Sequence, residues 1–238
     1  MVKPAAKAVV IKKKRWVPIY TPKLFNEQQI GESFVEESAN LVGRVASVSL
    51  MILTNDPQKQ AVTVSFKITA THKDGVTSEL VGYKLLPAAA KKLMRRRRNK
   101  IEDSFIVETA DKKILRIKPL IVTRGHTTGS VLATLQKLER AYVAKMISKS
   151  DLDSLVRDVV QKKLQSGLSQ VLRRVYPVGA CEIRQFEIIP VEKVKELGLK
   201  ITLPPENLPE FKSRQRKEEV QSEQEESAPV EEQAEVQA

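Results

Sequence analysis

Between residues 61 and 70 the chain alternates. Val62, Val64, Phe66 and Ile68 occupy every second position, with Thr63, Ser65, Lys67 and Thr69 between them. Successive strand side chains point to opposite faces, so this pattern buries one face and wets the other only as a β-strand. Asp74-Gly75 is a hairpin turn signal, and residues 76–86 read as the returning strand, with Val81, Tyr83 and Leu85 inward and Gly82 at a bend. A second hairpin is predicted from residues 105–109 and 114–122 around 110–112, where Leu115 and Ile117 alternate with Arg116 and Lys118. Residues 41–53 are apolar and β-branched, which predicts a further strand with Gly43 as a bulge. Residues 16–20 read as a short extended piece; Pro18 and Pro22 favour an edge strand or loop there. Several short strands with one-sided alternation suggest a small antiparallel barrel or sandwich.

The remainder reads as helical, making the fold class α+β. Pro87 suits a helix start, and Leu93, Met94 and Ile101 fall on one side of a predicted helix over 87–101. Val131, Leu135, Leu138, Tyr142 and Met146 recur at spacings of three and four, an amphipathic helix over 130–149. Ser150-Asp151-Leu152-Asp153 resembles a capping box opening a helix through Leu164. A shorter helix over 168–175 is expected after Gly167, ended by Tyr176-Pro177, with a last strand over 181–189. The C-terminal helices are expected to pack beside the strands.

Charge limits what such a fold is for. The 238 residues hold 41 Lys and Arg against 29 Asp and Glu, a net charge of +12. Residues 218–238 contain eight acids and no base, which leaves residues 1–217 at +20. A body that positive repels itself and is best explained by a polyanionic partner, whose released counterions drive association. Residues 1–15 carry six bases and no acid and read as a disordered basic arm; residues 218–238 read as a disordered acidic tail. The division predicted is an arm over 1–15, an RNA-binding body over 16–190, a peripheral helix with a Pro/Lys/Arg-rich extension over 191–217, and the tail.

Other function classes find little support. No apolar run approaches the roughly 18 residues that span a bilayer, and no apolar segment of a secretory signal follows the lysine-rich start. A single cysteine, Cys181, excludes an internal disulfide framework and a multi-cysteine zinc site, and its alternating surroundings predict a buried, inert thiol. His72 and His126 stand apart, and the carboxylates show no paired arrangement. The Gly-containing loop at 123–130 matches no phosphate-loop motif. No enzyme, cofactor, metal or small-molecule substrate is expected.

The binding candidates are cationic. Arg95, Arg96, Arg97 and Arg98, read as one helical turn, spread around a helix end with Lys91, Lys92 and Lys100 beside them. That arrangement suits phosphates arriving from several directions, each met by a guanidinium fork. A solvated charged face or a nuclear localisation signal would use the same letters; the excess charge of the body favours nucleic acid. Trp16 follows Lys12, Lys13, Lys14 and Arg15 and either stacks a base while they hold phosphates, or anchors the core. Arg173, Arg174 and Arg184 form a second cluster around Tyr176-Pro177, and Arg124 lies in the 123–130 loop.

An ordered series of short motifs carries a resemblance. Tyr20-Thr21-Pro22-Lys23-Leu24-Phe25, Ile30-Gly31-Glu32 and Gly43-Arg44-Val45 before Leu50 come first. Residues 93–101, Ile114-Leu115-Arg116, Thr123-Arg124, Val175-Tyr176-Pro177 and Glu182-Ile183-Arg184 follow. Over residues 15–190 the chain resembles the archaeal and eukaryotic small-subunit ribosomal proteins of the S-one eukaryote type, or S-three-a family. The resemblance implies a β-barrel body with helices beside it, seated on the platform of the cytoplasmic small subunit near the messenger exit. It also implies contacts to small-subunit ribosomal RNA and to neighbours such as ribosomal protein S-eleven. The acidic tail after Lys217 departs from the family pattern, and residues 125–129 are less basic than that pattern implies. The short basic arm is closer to archaeal members. The alternatives are a free RNA-binding translation factor or regulator and, more distantly, a nucleic-acid enzyme.

Overall fold

The computed structural model describes residues 13–72, 75–196, 198 and 200–202. Most of the basic arm, the Asp74 half of the first hairpin turn and the acidic tail lie outside these residues.

Among the described residues nine strands form one sheet: β1 (Arg15–Tyr20), β2 (Gln29–Val35), β3 (Val45–Ser49), β4 (Val62–Thr71), β5 (Val76–Leu85), β6 (Lys100–Glu102), β7 (Phe105–Glu108), β8 (Ile114–Thr123) and β9 (Val178–Ile189). The alternation in β4 does what its period requires. Val62, Val64, Phe66 and Ile68 are all buried, and β4 pairs antiparallel with β5 along its whole length. The β7–β8 hairpin also stands where its alternation places it, with Leu115 and Ile117 fully buried.

The sheet is α+β in context but open, which corrects the barrel expectation. One side of β5 is taken by β4; the other is shared end to end by β1, at Val76 and Thr77, and β9, at Gly82 to Lys84. β8 likewise has β9 on one side and β6 and β7 in tandem on the other. Among the described residues β2 pairs only with β1 and β3 only with β4, so edges remain on both arms of this branched sheet. Pro18 sits in the part of β1 that has β2 on one side and no strand on the other, where its missing N–H costs no ladder bond.

The helices are α1 (Leu50–Thr54), α2 (Pro87–Leu93), α3 (Gly129–Lys149), α4 (Leu152–Val160), α5 (Lys163–Arg173) and α6 (Val191–Glu196). α3, α4 and α5 cover one face of the sheet, and the main core lies between, with Phe66, Leu115, Leu135, Leu155, Leu168 and Phe186 at its centre. Smaller clusters lie under β1 and β2, and under α6.

Several expected boundaries move. The strand predicted over 41–53 shortens to β3 and turns into α1, whose Leu50 and Leu53 are buried at helical spacing. Gly43, at φ +87, is in the turn before β3 and is no bulge. The helix predicted over 87–101 ends at Leu93: Met94 is extended, and Ile101 pairs with Ile121 in β6. The break after α4 comes at Lys162, with φ +60, and Gly167 lies inside α5, where a Cβ would collide with the Tyr142 hydroxyl. Asp151 makes no side-chain cap; the Leu152 N–H donates to Asp111 Oδ2 at 2.9 Å, so the hairpin turn between β7 and β8 caps α4.

Candidate nucleic-acid interface

β6, β8 and β9 end together. Lys100 pairs with Val122, and Thr123 with Val178. Three segments therefore converge at this end of the sheet: the turn at 95–99, the loop at 124–128, and the turn from the end of α5 to Pro177.

Hydrogen bonds fix them to one another. The Thr123 N–H donates to the Asn99 carbonyl at 2.9 Å, and the Asn99 N–H donates to Thr123 Oγ1 at 2.9 Å. The fully buried Thr123 hydroxyl donates to the Gly125 carbonyl at 2.7 Å. Thr127 N–H reaches Asn99 Oδ1 at 3.4 Å. Arg124 N–H donates to the Pro177 carbonyl at 3.0 Å, and the Tyr176 hydroxyl to the His126 carbonyl at 3.3 Å. Backbone groups that a loop would otherwise leave to water are thus held by neighbours, and the loops are positioned rather than floppy.

On this frame Arg95, Arg96, Arg97, Arg124, Arg173 and Arg174 are exposed. Arg98 is half-buried and runs over Gly179 of β9: a Cβ there would lie 3.5 Å from Arg98 Nη1. The four consecutive arginines do not form a helical turn, which corrects the sequence expectation. Arg97 is left-handed, at φ +62, and the run bends into a tight turn. A continued helix would set Lys91 against Arg95 and Lys92 against Arg96 at i,i+4, like-charge pairs that disfavour continuation. Lys91 and Lys92 are exposed in the last turn of α2, leading into this bend.

The remaining candidates stand outside these three segments. Lys12 is outside the described residues. Lys13, Lys14, Arg15 and Trp16 are exposed around the start of β1, and Trp16 is no core anchor at 64 % exposure. Lys100 in β6 and Arg184 in β9 both engage Glu102, at 3.4 and 3.2 Å. Arg184 thus stands in β9 with its guanidinium at Glu102, whereas Arg173 and Arg174 end α5.

Sequence reasoning quoted Thr123 and Tyr176 among the family motifs but did not assign them, or Asn99, the role of binding the loops together. It also missed a signal for the convergence. Residues 80–101, 112–138 and 159–181 contain no Asp or Glu, and these three stretches supply this end of the sheet.

The titratable groups in the interior do not assemble into a reactive set. Burial, the Asp103 charge adding to it against Arg140, pushes the Glu139 carboxyl up to about 8. Asp103 stays below the usual carboxylate range despite desolvation, because Arg140 and the Ser104 N–H bond it. Cys181 is half-buried, short of the full burial expected from its alternating surroundings, and burial drives its thiol upward. A cleft of about 400 Å³ is lined by Leu24, Phe25, Leu53, Val156 and Arg157, and one of about 390 Å³ by Leu24, Leu80, Lys113 and Asp153. Neither opens at the arginine-bearing end. Among the described residues no three His, Cys, Asp or Glu side chains are grouped to hold a metal ion, and no helix is long and apolar enough to cross a membrane.

Fold and site together define a basic α+β protein whose distinguishing chemistry is a cationic surface built from several loops. A family model described as the Ribosomal S3Ae family matches residues 5–191, and the chain belongs to that family. It is 28 % identical over 182 residues to the small ribosomal subunit protein eS1 of Nanoarchaeum equitans, covering 76 % of this chain and 92 % of that one. It is 28 % identical over 183 residues to the protein of the same name from Methanothrix thermoacetophila, covering 77 % and 87 %. The eS1 protein of Saccharolobus solfataricus is 28 % identical over 180 residues, covering 76 % and 86 %. The family read from the ordered motifs is the family matched. The acidic residues 218–238 lie beyond the matched segment.

Proposed function

We propose that the chain is a structural constituent of the small ribosomal subunit, held there by contacts between its arginine-bearing sheet end and ribosomal RNA. One observation carries the reading: seven arginines on three hydrogen-bonded segments share one end of the sheet, in stretches free of acids. A phosphate backbone presents charges from several directions, and guanidinium groups spread over three loops match it better than they match one small anion. The family membership supplies the particle. The role is non-enzymatic and cytoplasmic, without cofactor or small-molecule substrate. The RNA contacts are Lys91, Lys92, Arg95 to Arg98, Arg124, Arg173 and Arg174, with Lys12 to Trp16 as a separate contact. Lys100 and Arg184 take part through the Glu102 pair rather than as free cations. Residues 16–190 form the RNA-binding body, with 1–15 as a basic arm, 191–217 as a peripheral extension and 218–238 as an acidic tail. The resemblance to the family supports protein neighbours on the subunit platform, ribosomal protein S-eleven among them.

Replacing Arg95, Arg96, Arg97 and Arg98 together with Gln tests this. The wild-type chain should bind structured RNA with steep salt dependence. The variant should bind more weakly and lose roughly 0.7–0.9 from the log–log salt slope for each phosphate contact removed. Unfolding should shift by less than about 0.5 kcal/mol per exposed site. An unchanged slope, or a collapsed fold with RNA affinity intact, would reverse the assignment.

A further inference from the structure

β1 and β2 form an antiparallel ribbon in which Trp16 stands directly opposite Phe34. Alternate residues Val17, Ile19 and Val35 turn inward to a small core. Strand periodicity then places Trp16 and Phe34 on the outer face. Their ring centroids are 4.9 Å apart with planes tilted by 40°, and the residues are 64 % and 52 % exposed. Two neighbouring aromatics left in water on an edge ribbon give up a large hydrophobic gain, and such pairs usually mark a contact surface.

The surroundings select the occupant. Lys13 and Lys14 are exposed just before the strand, and Arg15 Nη2 donates to Ser38 Oγ at 3.0 Å, in the turn that follows β2. In sequence, residues 1–15 ahead of Trp16 hold six bases and no acid. Glu36 and Glu37 follow β2 and exposed Glu32 shares the outer face with Phe34, so the cations of this ribbon stand at the start of β1. Cations beside an exposed ring face form the combination that holds unpaired nucleotides, phosphate on the bases and nucleobase on the ring. In a duplex the bases are already stacked on one another and offer no face.

We propose that Trp16 and Phe34 form a stacking platform for an unpaired RNA base, separate from the arginine-bearing end and selective for single-stranded over duplex RNA. The proposal rests on the reading of the chain as an RNA-binding protein but not on the arginines. Trp16 is the sole tryptophan, so its fluorescence reports the platform alone. The full chain is titrated with an oligouridine of about ten nucleotides, with duplex RNA of equal length, and with heparin. The single strand should quench Trp16 saturably, while duplex and heparin bind without comparable quenching. Measured with labelled RNA, Trp16→Ala should weaken single-strand binding by roughly 5- to 100-fold. Trp16→Phe should restore most of it, Phe34→Ala should weaken it less, and duplex affinity should not move. The four-arginine Gln variant should lose duplex affinity and keep the quenching, so the two sites fail independently. Equal quenching by heparin, no quenching by the single strand, or an Ala variant that melts normally and binds the single strand like wild type would overturn the proposal.

Discussion

Glu139 occupies a position in α3 that the periodicity of the helix assigns to an apolar residue. It lies four residues from both Leu135 and Val143, is 0 % exposed, and neither carboxylate oxygen has a protein partner. A lone buried carboxylate is tolerated when it keeps its proton, and burial accordingly raises this group to about 8. Below about pH 4 the unfolded chain and the folded chain both hold the proton, and the group makes no difference. From there to about pH 8 the unfolded chain releases it while the folded chain keeps it, so stability falls by about 1.4 kcal/mol per pH unit. Above that window the loss stops growing. Glu139→Gln should remove this slope: urea unfolding of the variant and wild type should diverge as pH rises through the window and then run parallel. Curves parallel at every pH would mean that Glu139 is not held protonated. The acid was visible in the sequence, but its burial was not. The apolar stripe read through Val131, Leu135, Leu138, Tyr142 and Met146 is narrower than the buried arc, because α3 packs on both β7 and α5, which brings Glu139, Val143, Ala144 and Ile147 inside.

At the scale of elements, the sheet depends on a short seam. β5 meets β9 only through Gly82, Tyr83 and Lys84, opposite Glu187, Phe186 and Gln185, with Tyr83 stacked on Phe186 at 5.4 Å. A Cβ on Gly82 would lie 3.0 Å from the Phe186 carbonyl oxygen, so only glycine lets the two backbones approach this closely. Gly82→Val should cost about 1–3 kcal/mol by forcing the strands apart, whereas Gly31→Val, with open space around it, should be near neutral. Denaturation midpoints compare them; equal effects would remove the seam from the account. The same glycine shows where sequence reading succeeds and fails. Period-two alternation placed β4, β5 and the first half of β8, where Leu115 and Ile117 are buried between half-buried Arg116 and Lys118; β7 and residues 119–123 are buried on both faces. A bulge opposite residues 65 and 66 shifts the phase, so Val81 is only half-buried while Tyr83 and Leu85 are inside. Residues 50–54 resisted because a continuous apolar run carries no period, and tertiary packing of Leu50 and Leu53 decides for helix. The arginine run was legible as a phosphate contact candidate but not as a turn. What joins it to Arg124 and Arg173 is strand pairing between segments distant in sequence.

Over the whole molecule, β9 ties the two ends of the chain together. It enters last and lies between β5 and β8, so the N-terminal strands and the arginine-bearing C-terminal strands form one sheet only after it is in place. The acidic residues 218–238 follow this body and lower its charge from +20 to +12. If they compete with RNA for the basic surface, truncation after Lys217 should tighten binding to random RNA at low salt. The gain should fade as the Debye length shrinks to about 8 Å near physiological ionic strength. Equal affinity with and without the tail at every salt concentration would make it a passive extension. The central claim is residence in the particle. In place, contacts to RNA and to protein neighbours must all be broken together, so retention should exceed what the isolated chain shows. The direct measurement is the copy number of the chain on small subunits sedimented through a salt wash that strips loosely bound factors. The account predicts one copy per subunit, reduced by the four-arginine Gln variant. Recovery of the chain in the soluble fraction, with subunits intact and devoid of it, would contradict it.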